Sequence, residues 1–340
     1  MTEAAPVQAS AKPSNSAAPP PPAVVQAWRL AAAVASDGWR FWRHSFTRGA
    51  RDREQLRARM AMDLHFLEYG MALRHARPGH GFDKAARLLA DLETALGRGH
   101  ADAQTEIAGR VLEAWLGLNA GDPRAAALRP RLETLVRAAT GLRGGAETVT
   151  RDGIVAATRP VDFAAFLEAR HSIRQYAPGP VPPEALERAA RAAQQAPTSC
   201  NRQTCRIHAW TDPALIARVA ALQSGNRGFG HELGGLAVLW TDLRDWTEAS
   251  ERSNGLVDGG MFAMTFLLAL HAEGLGTVPL NWSEEPAQDR ALRRLARLPD
   301  SAQVIVMVGF GLLPETLRVP VSQRRPLDTC LSVNPGLAPA

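Results

Sequence analysis

Cysteine is scarce in this chain: Cys200, Cys205 and Cys330 are the only three, and they form no C-x-x-C pair. Their spacing supports neither a disulfide framework nor a cysteine-bound metal, so no metal is expected and a reducing, cytoplasmic setting fits best. There is no G-x-G-x-x-G after a strand, no G-x-x-x-x-G-K-[ST], no G-x-S-x-G and no H-E-x-x-H. Rossmann and P-loop nucleotide sites, nucleophile-elbow hydrolases and the common zinc enzymes therefore lose their usual support. The start, MTEAAPVQASAKPSNSAAPPPPAVV, lacks the basic and long apolar regions of a signal peptide. Residues 1–23 are expected to be a disordered Pro/Ala-rich tail. The most apolar stretch, MFAMTFLLALHAEGLG, is interrupted by His271 and Glu273. It falls well short of the roughly 20 residues needed to span a bilayer, so a buried helix is expected there.

The formal charge is +5. The basic residues are nearly all arginine and are scattered among acidic ones, so nucleic-acid binding is not expected. Anionic ligands, phosphates included, remain compatible with this balance. With 340 residues, 46% hydrophobic and 21% charged, the chain can build a sizeable core, either as two globular units or as one domain with a large extension.

Residues 24–150 read as a helical extension. Its first segment interleaves Trp28, Trp39 and Trp42 with arginines, which suits either an amphipathic helix packed on its own protein or one lying on an anionic membrane surface; the former is the commoner use. Further on, Leu88, Leu89, Leu92 and Leu96, then Ile107, Val111, Leu112 and Trp115, keep helical spacing. The polar, glycine-containing RGGAETVTRDG (143–153) marks the boundary. Residues 151–332 change pattern, and 333–340 form a short tail. PVDFAAFLEARHS reads as a helix capped by Asp162, PPEALERAARAAQQA as another, and RIHAWT, LAVLWTD and QVIVMVGFG as strands. Helices and strands mix without strict alternation, so the expected class is α+β. Trp210, Trp240 and Trp246 are expected in the core, and Cys200 and Cys205 as small apolar filler.

Chemistry concentrates in ARHSIRQY, where Arg170, His171, Ser172 and Arg174 crowd a helix end. Two guanidiniums with an imidazole and a hydroxyl between them suit a phosphate beside a polar heterocycle; basic residues at a helix C-terminus equally complement its dipole. Some twenty-five residues on, QAPTSCNRQTC presents Thr198, Ser199, Asn201 and Gln203 after Pro197. Such short hydroxyls and amides cap turns or read the edge of a ring.

The order R-x-S-x-R, helix, A-P-[ST]-x-x-N-x-Q resembles the nitroreductase family of FMN-dependent oxidoreductases. SGNRGFG (224–230), DGGMFAMTFLLALHAEGLGTVPLNW (258–282) and SQRRPL (322–327) resemble that family's middle loop, central helix with its following turn, and basic C-terminal phosphate contact. The resemblance covers about residues 160–330. It implies a mainly antiparallel sheet flanked by helices, in a homodimer with two FMN molecules at the interface. It further implies that Arg170, Ser172 and Arg324, joined by His171, hold the phosphate and ribityl chain, with Arg174 at the N1/O2 edge of the ring. Pro197, Thr198 and Asn201, with Gln203 beside them, would reach the flavin of the partner subunit. Asn226 would face the ring, and the backbone at Asn281 and Trp282 would offer an N–H to flavin N5, Trp282 also serving as a ring-stacking wall. The chain departs from the family at Thr204 and Cys205, where Pro-Trp is usual, at Asn281, where an acid is common, and at Ser322, where a lysine is frequent. HFLEYGMALRHARPGHGF (65–82) loosely resembles a segment preceding the flavin domain in some long bacterial members.

The function implied is hydride transfer from NADH or NADPH through FMN to a small organic acceptor such as a nitroaromatic or quinone. Two other readings stand beside it: a specialised flavin-dependent dehydrogenase or flavin-processing enzyme, and a non-catalytic flavin-binding protein that docks through its tryptophan-rich segment on a membrane or an acidic partner.

Overall fold

The computed structural model describes residues 22–46, 52–72, 78–135, 141–147, 162–317, 319 and 327–336. Residues 1–21, positions 148–153 of the expected boundary (143–153) and Arg324 lie outside the described residues.

The first half is helical: α1 (Ala23–His44), α2 (Arg53–Ala72), α3 (Phe82–Gly97), α4 (Ala103–Leu118) and α5 (Pro123–Glu133). Asp102 caps α4 in a reciprocal capping box with Thr105, and Asp122 caps α5 ahead of Pro123. The leucine spacing predicts one buried stripe per helix. Leu64, Leu88, Leu89, Leu112 and Trp115 accordingly meet in a core of their own.

The second half is α+β. Short helix α6 (Phe163–Ala169) is capped by Asp162, which accepts a 3.0 Å hydrogen bond from the Ala165 N–H. Then come α7 (Pro183–Ala193), β1 (Cys205–Trp210), α8 (Pro213–Ala220), β2 (Gly235–Asp242), α9 (Asn254–Ala272), β3 (Leu275–Asn281), α10 (Pro286–Leu295) and β4 (Ala302–Leu312). The sheet is antiparallel in the order β1-β2-β4-β3. Leu236, Val238 and Trp240 face one core layer while Ala237 and Leu239 face the other, the alternation a strand buried on both sides requires. In β4 a bulge passes over Ile305, pairing Leu239 with Val306 and Trp240 with Val304. The extra residue changes the parity, so Val304 and Val306 face opposite layers.

Leu275–Asn281 forms a strand where the family resemblance implies a turn after the central helix. It lies at the sheet edge, where the missing Pro279 N–H disturbs no ladder: Thr277 turns its carbonyl outward to Ile173, and Pro279 shares that parity.

Helix α9 is long and apolar enough to cross a bilayer, yet Phe262, Phe266, Leu267 and Leu270 are buried against the sheet. Gly259 permits this approach, since a Cβ there would lie 2.6 Å from Ile305 Cγ1. Alanines 185, 189 and 193 of α7, spaced four apart, pack in the same layer. The expectation of a buried helix holds for one face only; Leu256, Val257, Met261 and Met264 are exposed.

The extension is tied to the sheet domain along α1 and α2. Phe41 packs with Leu243 and Trp246. The Arg40 guanidinium donates to the carbonyls of Asp300 and Ala302, and the Phe46 N–H donates to the Trp246 carbonyl. The expected packing of α1 on its own protein is thus made by Arg40 and Phe41. Trp28 and Trp39 are 74% and 57% exposed, so the tryptophans lie on another face. Trp240 and Trp246 are buried, as expected.

At the α2 seam Asp245 is buried beside Arg57, Arg202 and Arg206, with Oδ2 lacking a hydrogen bond among the described residues. Burial, and then the charge of Asp242, push its carboxyl up to about 8. Between about pH 4, where an ordinary carboxyl titrates, and about 8, the folded protein keeps a proton that the unfolded chain has released. Stability should therefore fall as pH rises through that window. Asp245→Asn is expected to flatten the decline and to add about 1–3 kcal/mol at pH 9. Urea unfolding at pH 6 and pH 9 checks both.

Candidate functional site

The open edge of β3 is taken up by the segment that follows α6. Ser172 makes a parallel bridge to Thr277, and the Ile173 N–H donates to the Thr277 carbonyl at 2.8 Å. Ile173 and Tyr176 are buried, while His171 and Arg174 are exposed. Arg170 is the C-cap residue of α6. Among the described residues the side chains of Arg170 and His171 make no hydrogen bond or ion pair. Among the described residues Arg174 donates only to the Ser172 carbonyl, at 3.3 Å, and it lies 5.9 Å from the Phe229 ring.

Backbone parity carries this edge onward. Thr277, Pro279 and Asn281 alternate with residues bonded to β4, so the N–H and C=O of Asn281 face outward like the Thr277 carbonyl. Gln223 Nε2 donates to the Asn281 carbonyl at 3.0 Å, and the Ser224 N–H and hydroxyl both donate to Glu284. These bonds pin the 223–229 loop to the end of β3. Asn226 spends its amide donors on the carbonyls of Ala220, at the end of α8, and of Gln223. The Trp282 indole N–H donates to Asp289 at 3.0 Å, which fixes the ring against α10. Three predicted stretches, 170–174, 224–230 and 281–282, therefore meet along one edge, with Gln223 beside the second of them.

At the inner end of this edge His171, His271 and Thr277 line a small cavity of about 180 Å³. Burial, with the charges of Arg170 and His171 adding to it, holds the His271 imidazole below its ordinary range. In the sequence His271 stands out only as an interruption of an apolar run.

The fourth stretch, 197–203, lies elsewhere. It precedes β1, the opposite edge strand, about 14 Å from β3 by three strand spacings. Ser199 donates to Asp258 from its N–H (2.8 Å) and its hydroxyl (3.1 Å), and Thr198 Oγ1 accepts from the Gln203 N–H. Cys200, Asn201 and Gln203 all take left-handed backbone conformations, with φ of 53°, 49° and 51°. Such conformations cost about 1–3 kcal/mol each and persist only where the surroundings impose them. The surroundings here include the buried Arg202, which pairs with Glu251, donates to the Asp245 carbonyl and lies 5.2 Å from the Trp246 ring. Burial alone would raise the Glu251 carboxyl; its bonds to Arg202 and to backbone N–H groups outweigh that and hold it below the usual range. Asp258 is raised, because burial outweighs the two Ser199 bonds. The sequence offers no signal for this network, whose partners are 49 and 59 residues apart. Cys205 is half-buried, and burial pushes its thiol up to about 11, away from a reactive thiolate.

The model of the nitroreductase family matches residues 167–226 and 235–312 of the chain. These segments, which carry the β3 edge and the 197–203 loop, belong to the nitroreductase family. The match places the domain among oxidoreductases. An FMN-dependent nitroreductase of Clostridium difficile R20291 shares 20% identity with 51% of this chain and 99% of its own, at a TM-score of 0.44. A nitroreductase family protein of Streptococcus pneumoniae TIGR4 shares 18% identity over 51% of this chain and 100% of its own, also at 0.44. A chain from Desulfovibrio desulfuricans solved in complex with FMN shares 23% identity over 52% of this chain and 99% of its own, again at 0.44. No curated protein matches the chain.

Helices α1 to α5 lie outside the segments matched to the nitroreductase family. Within the nitroreductase domain, Asp258 anchors the Ser199 end of the 197–203 loop, and the Arg202–Glu251 pair anchors its other end. Asp258→Ala should cost about 1–3 kcal/mol, since it strands two Ser199 donors. It should also speed amide exchange selectively across residues 199–204, as read by hydrogen-exchange mass spectrometry with urea unfolding as the stability measure.

Proposed function

We propose that the nitroreductase domain binds FMN along the open edge of β3 and transfers hydride from NADH or NADPH to a small organic acceptor such as a nitroaromatic or quinone. The observation that carries this reading is the convergence of 170–174, 224–230 and 281–282 on that edge, where, among the described residues, Arg170 and His171 have no side-chain hydrogen-bond or ion-pair partner and Arg174 donates only to a backbone carbonyl. Such a donor set fits a phosphate followed by a polar ring. Arg170, His171 and Ser172 would hold the phosphate end, joined by Arg324. Arg174 would set a fixed cation beside the N1/O2 edge, where negative charge is stabilised on reduction. The outward N–H of Asn281 would meet the ring at N5, with the Gln223 bond to the Asn281 carbonyl fixing its direction. FMN, when bound, supplies the hydride-exchanging atom; the protein supplies position and electrostatics.

A homodimer completes this reading. Within one chain the 197–203 loop sits a sheet's width from the β3 edge, so Thr198 and Asn201 would act on a partner's cofactor. The exposed apolar face of α9, with Val257 59% and Met264 43% exposed, is the surface that supports pairing.

The first test is the visible spectrum of the purified protein, where bound flavin absorbs at about 450 nm, followed by NADH or NADPH without oxygen. Bleaching of that band is expected. A protein that takes up no FMN even when it is added in excess would overturn the reading. Replacing Arg170 and Ser172 together by alanine should weaken FMN binding about tenfold or more. Val257→Arg should convert the dimer to monomer in sedimentation velocity and lower flavin content with it.

A further inference from the structure

A groove of about 530 Å³ runs between α1 of the extension and α10 of the nitroreductase domain, with Trp282 in its lining. Its volume falls in the range of small-molecule sites, roughly 300–1,000 Å³. Trp282 directly follows Asn281, so the groove begins one residue beyond the outward-facing end of β3.

The charges lining it are unevenly spent. Asp289 already holds Arg293, the Trp282 indole N–H and, at 3.7 Å, Arg40. Glu284 is taken by the two Ser224 donors. Asp37 and Asp300 also line the groove, from α1 and from the turn before β4. On α10, by contrast, Arg290 and Arg294 stand one helical turn apart, exposed, and make no hydrogen bond or ion pair among the described residues. Behind them Arg293 is buried, and its Nε, like that of Arg40, has no hydrogen-bond partner there. Burial, and then the nearby charge of Arg293, lower the proton affinity of Arg40, which Asp289, Asp37 and Asp300 offset only in part. Arg40 and Arg293 both pair with Asp289 beneath a pair of uncommitted arginines. Across from them the exposed indole of Trp39 offers an aromatic face.

We propose that this groove binds a flat organic anion, its carboxylate or phosphate held by Arg290 and Arg294 and its ring laid on Trp39. Arginine pairs recognise both oxyanions with directed hydrogen bonds, and an indole accepts any planar body. The anion relieves the repulsion among Arg40, Arg293 and the α10 pair. Helix α1 of the extension then supplies one wall of a pocket that the nitroreductase domain alone does not close. Two sources share this chemistry, an acidic aromatic acceptor and the 2′-phosphoadenosine end of a nicotinamide nucleotide. The position of the groove beside a reacting centre rests on the function proposed above; the binding itself does not.

The experiment is calorimetric titration of the full chain with three probes: 4-nitrobenzoate, 2′,5′-ADP and neutral nitrobenzene. Binding of one or both anions, weaker at raised salt, is expected, with nitrobenzene at least tenfold weaker. The double variant Arg290→Ala/Arg294→Ala should weaken the bound anion about tenfold or more, and Trp39→Ala should weaken it further. Arg29→Ala, on an exposed part of α1 outside the groove, should leave it unchanged. Response to 4-nitrobenzoate alone would assign the groove to an acidic acceptor, and response to 2′,5′-ADP alone to the nucleotide. Failure of both anions to bind at millimolar concentration, or equal binding by wild type and a folded double variant, would sink the proposal. Flavin absorbance recorded on the same samples separates the two readings: anion binding by a protein that takes up no FMN would keep the groove and discard the flavin.

Discussion

The bridge between Ser172 and Thr277 is the contact on which the rest of the site depends. A sheet edge exposes a row of unpaired backbone groups, and a protein must cover it or use it. Here the segment after α6 covers the first part of β3 with one short parallel pairing and then leaves. Beside that pairing Ile173 and Tyr176 are buried while His171 and Arg174 stay exposed. The β3–β4 register sets the parity by which the Asn281 amide points away from β4, four residues along the strand from Thr277. The bridge to Thr277 therefore fixes the spacing between the cationic end and the backbone end of the site.

The opposite edge is organised by a different balance. Three non-glycine residues in left-handed conformations are costly, and the loop that holds them is anchored by hydrogen bonds to Asp258 and by the buried pairing of Arg202 with Glu251. Helix α2 of the extension packs on the same region. The extension is thus positioned against the parts of the nitroreductase domain that carry backbone strain, while α1 continues past them to the end of β3. The extension therefore touches both the strained loop and the groove.

Much of this is legible in local sequence. The Asp162 cap, the proline start of α7, the leucine stripes of α3 and α4 and the donor cluster at 170–174 each depend on residues within a few positions of one another. Strand β3 is hidden because Gly276 and Pro279 are turn residues by propensity, and only an edge position tolerates that proline. The tryptophans of α1 suit a packing face, but Phe41 and Arg40 take that part, because the surface they meet comes from residues about two hundred positions or more away. Asp245, Arg202 and Glu251 carry no signal, since an acidic or basic residue in isolation reads as surface.

Short stretches of chain were enough to settle the α+β class of the second half, the helical nature of the first, and the donor chemistry at Arg170 to Arg174, because periodicity, capping and residue type act over one or two turns. Which edge those donors line, that the 197–203 loop stands at the other edge, and that α1 and α10 enclose a basic groove emerged with the assembled fold. Strand order and helix docking are set by burial of whole faces, a property of surfaces brought together from distant parts of the chain, which no short stretch of residues contains.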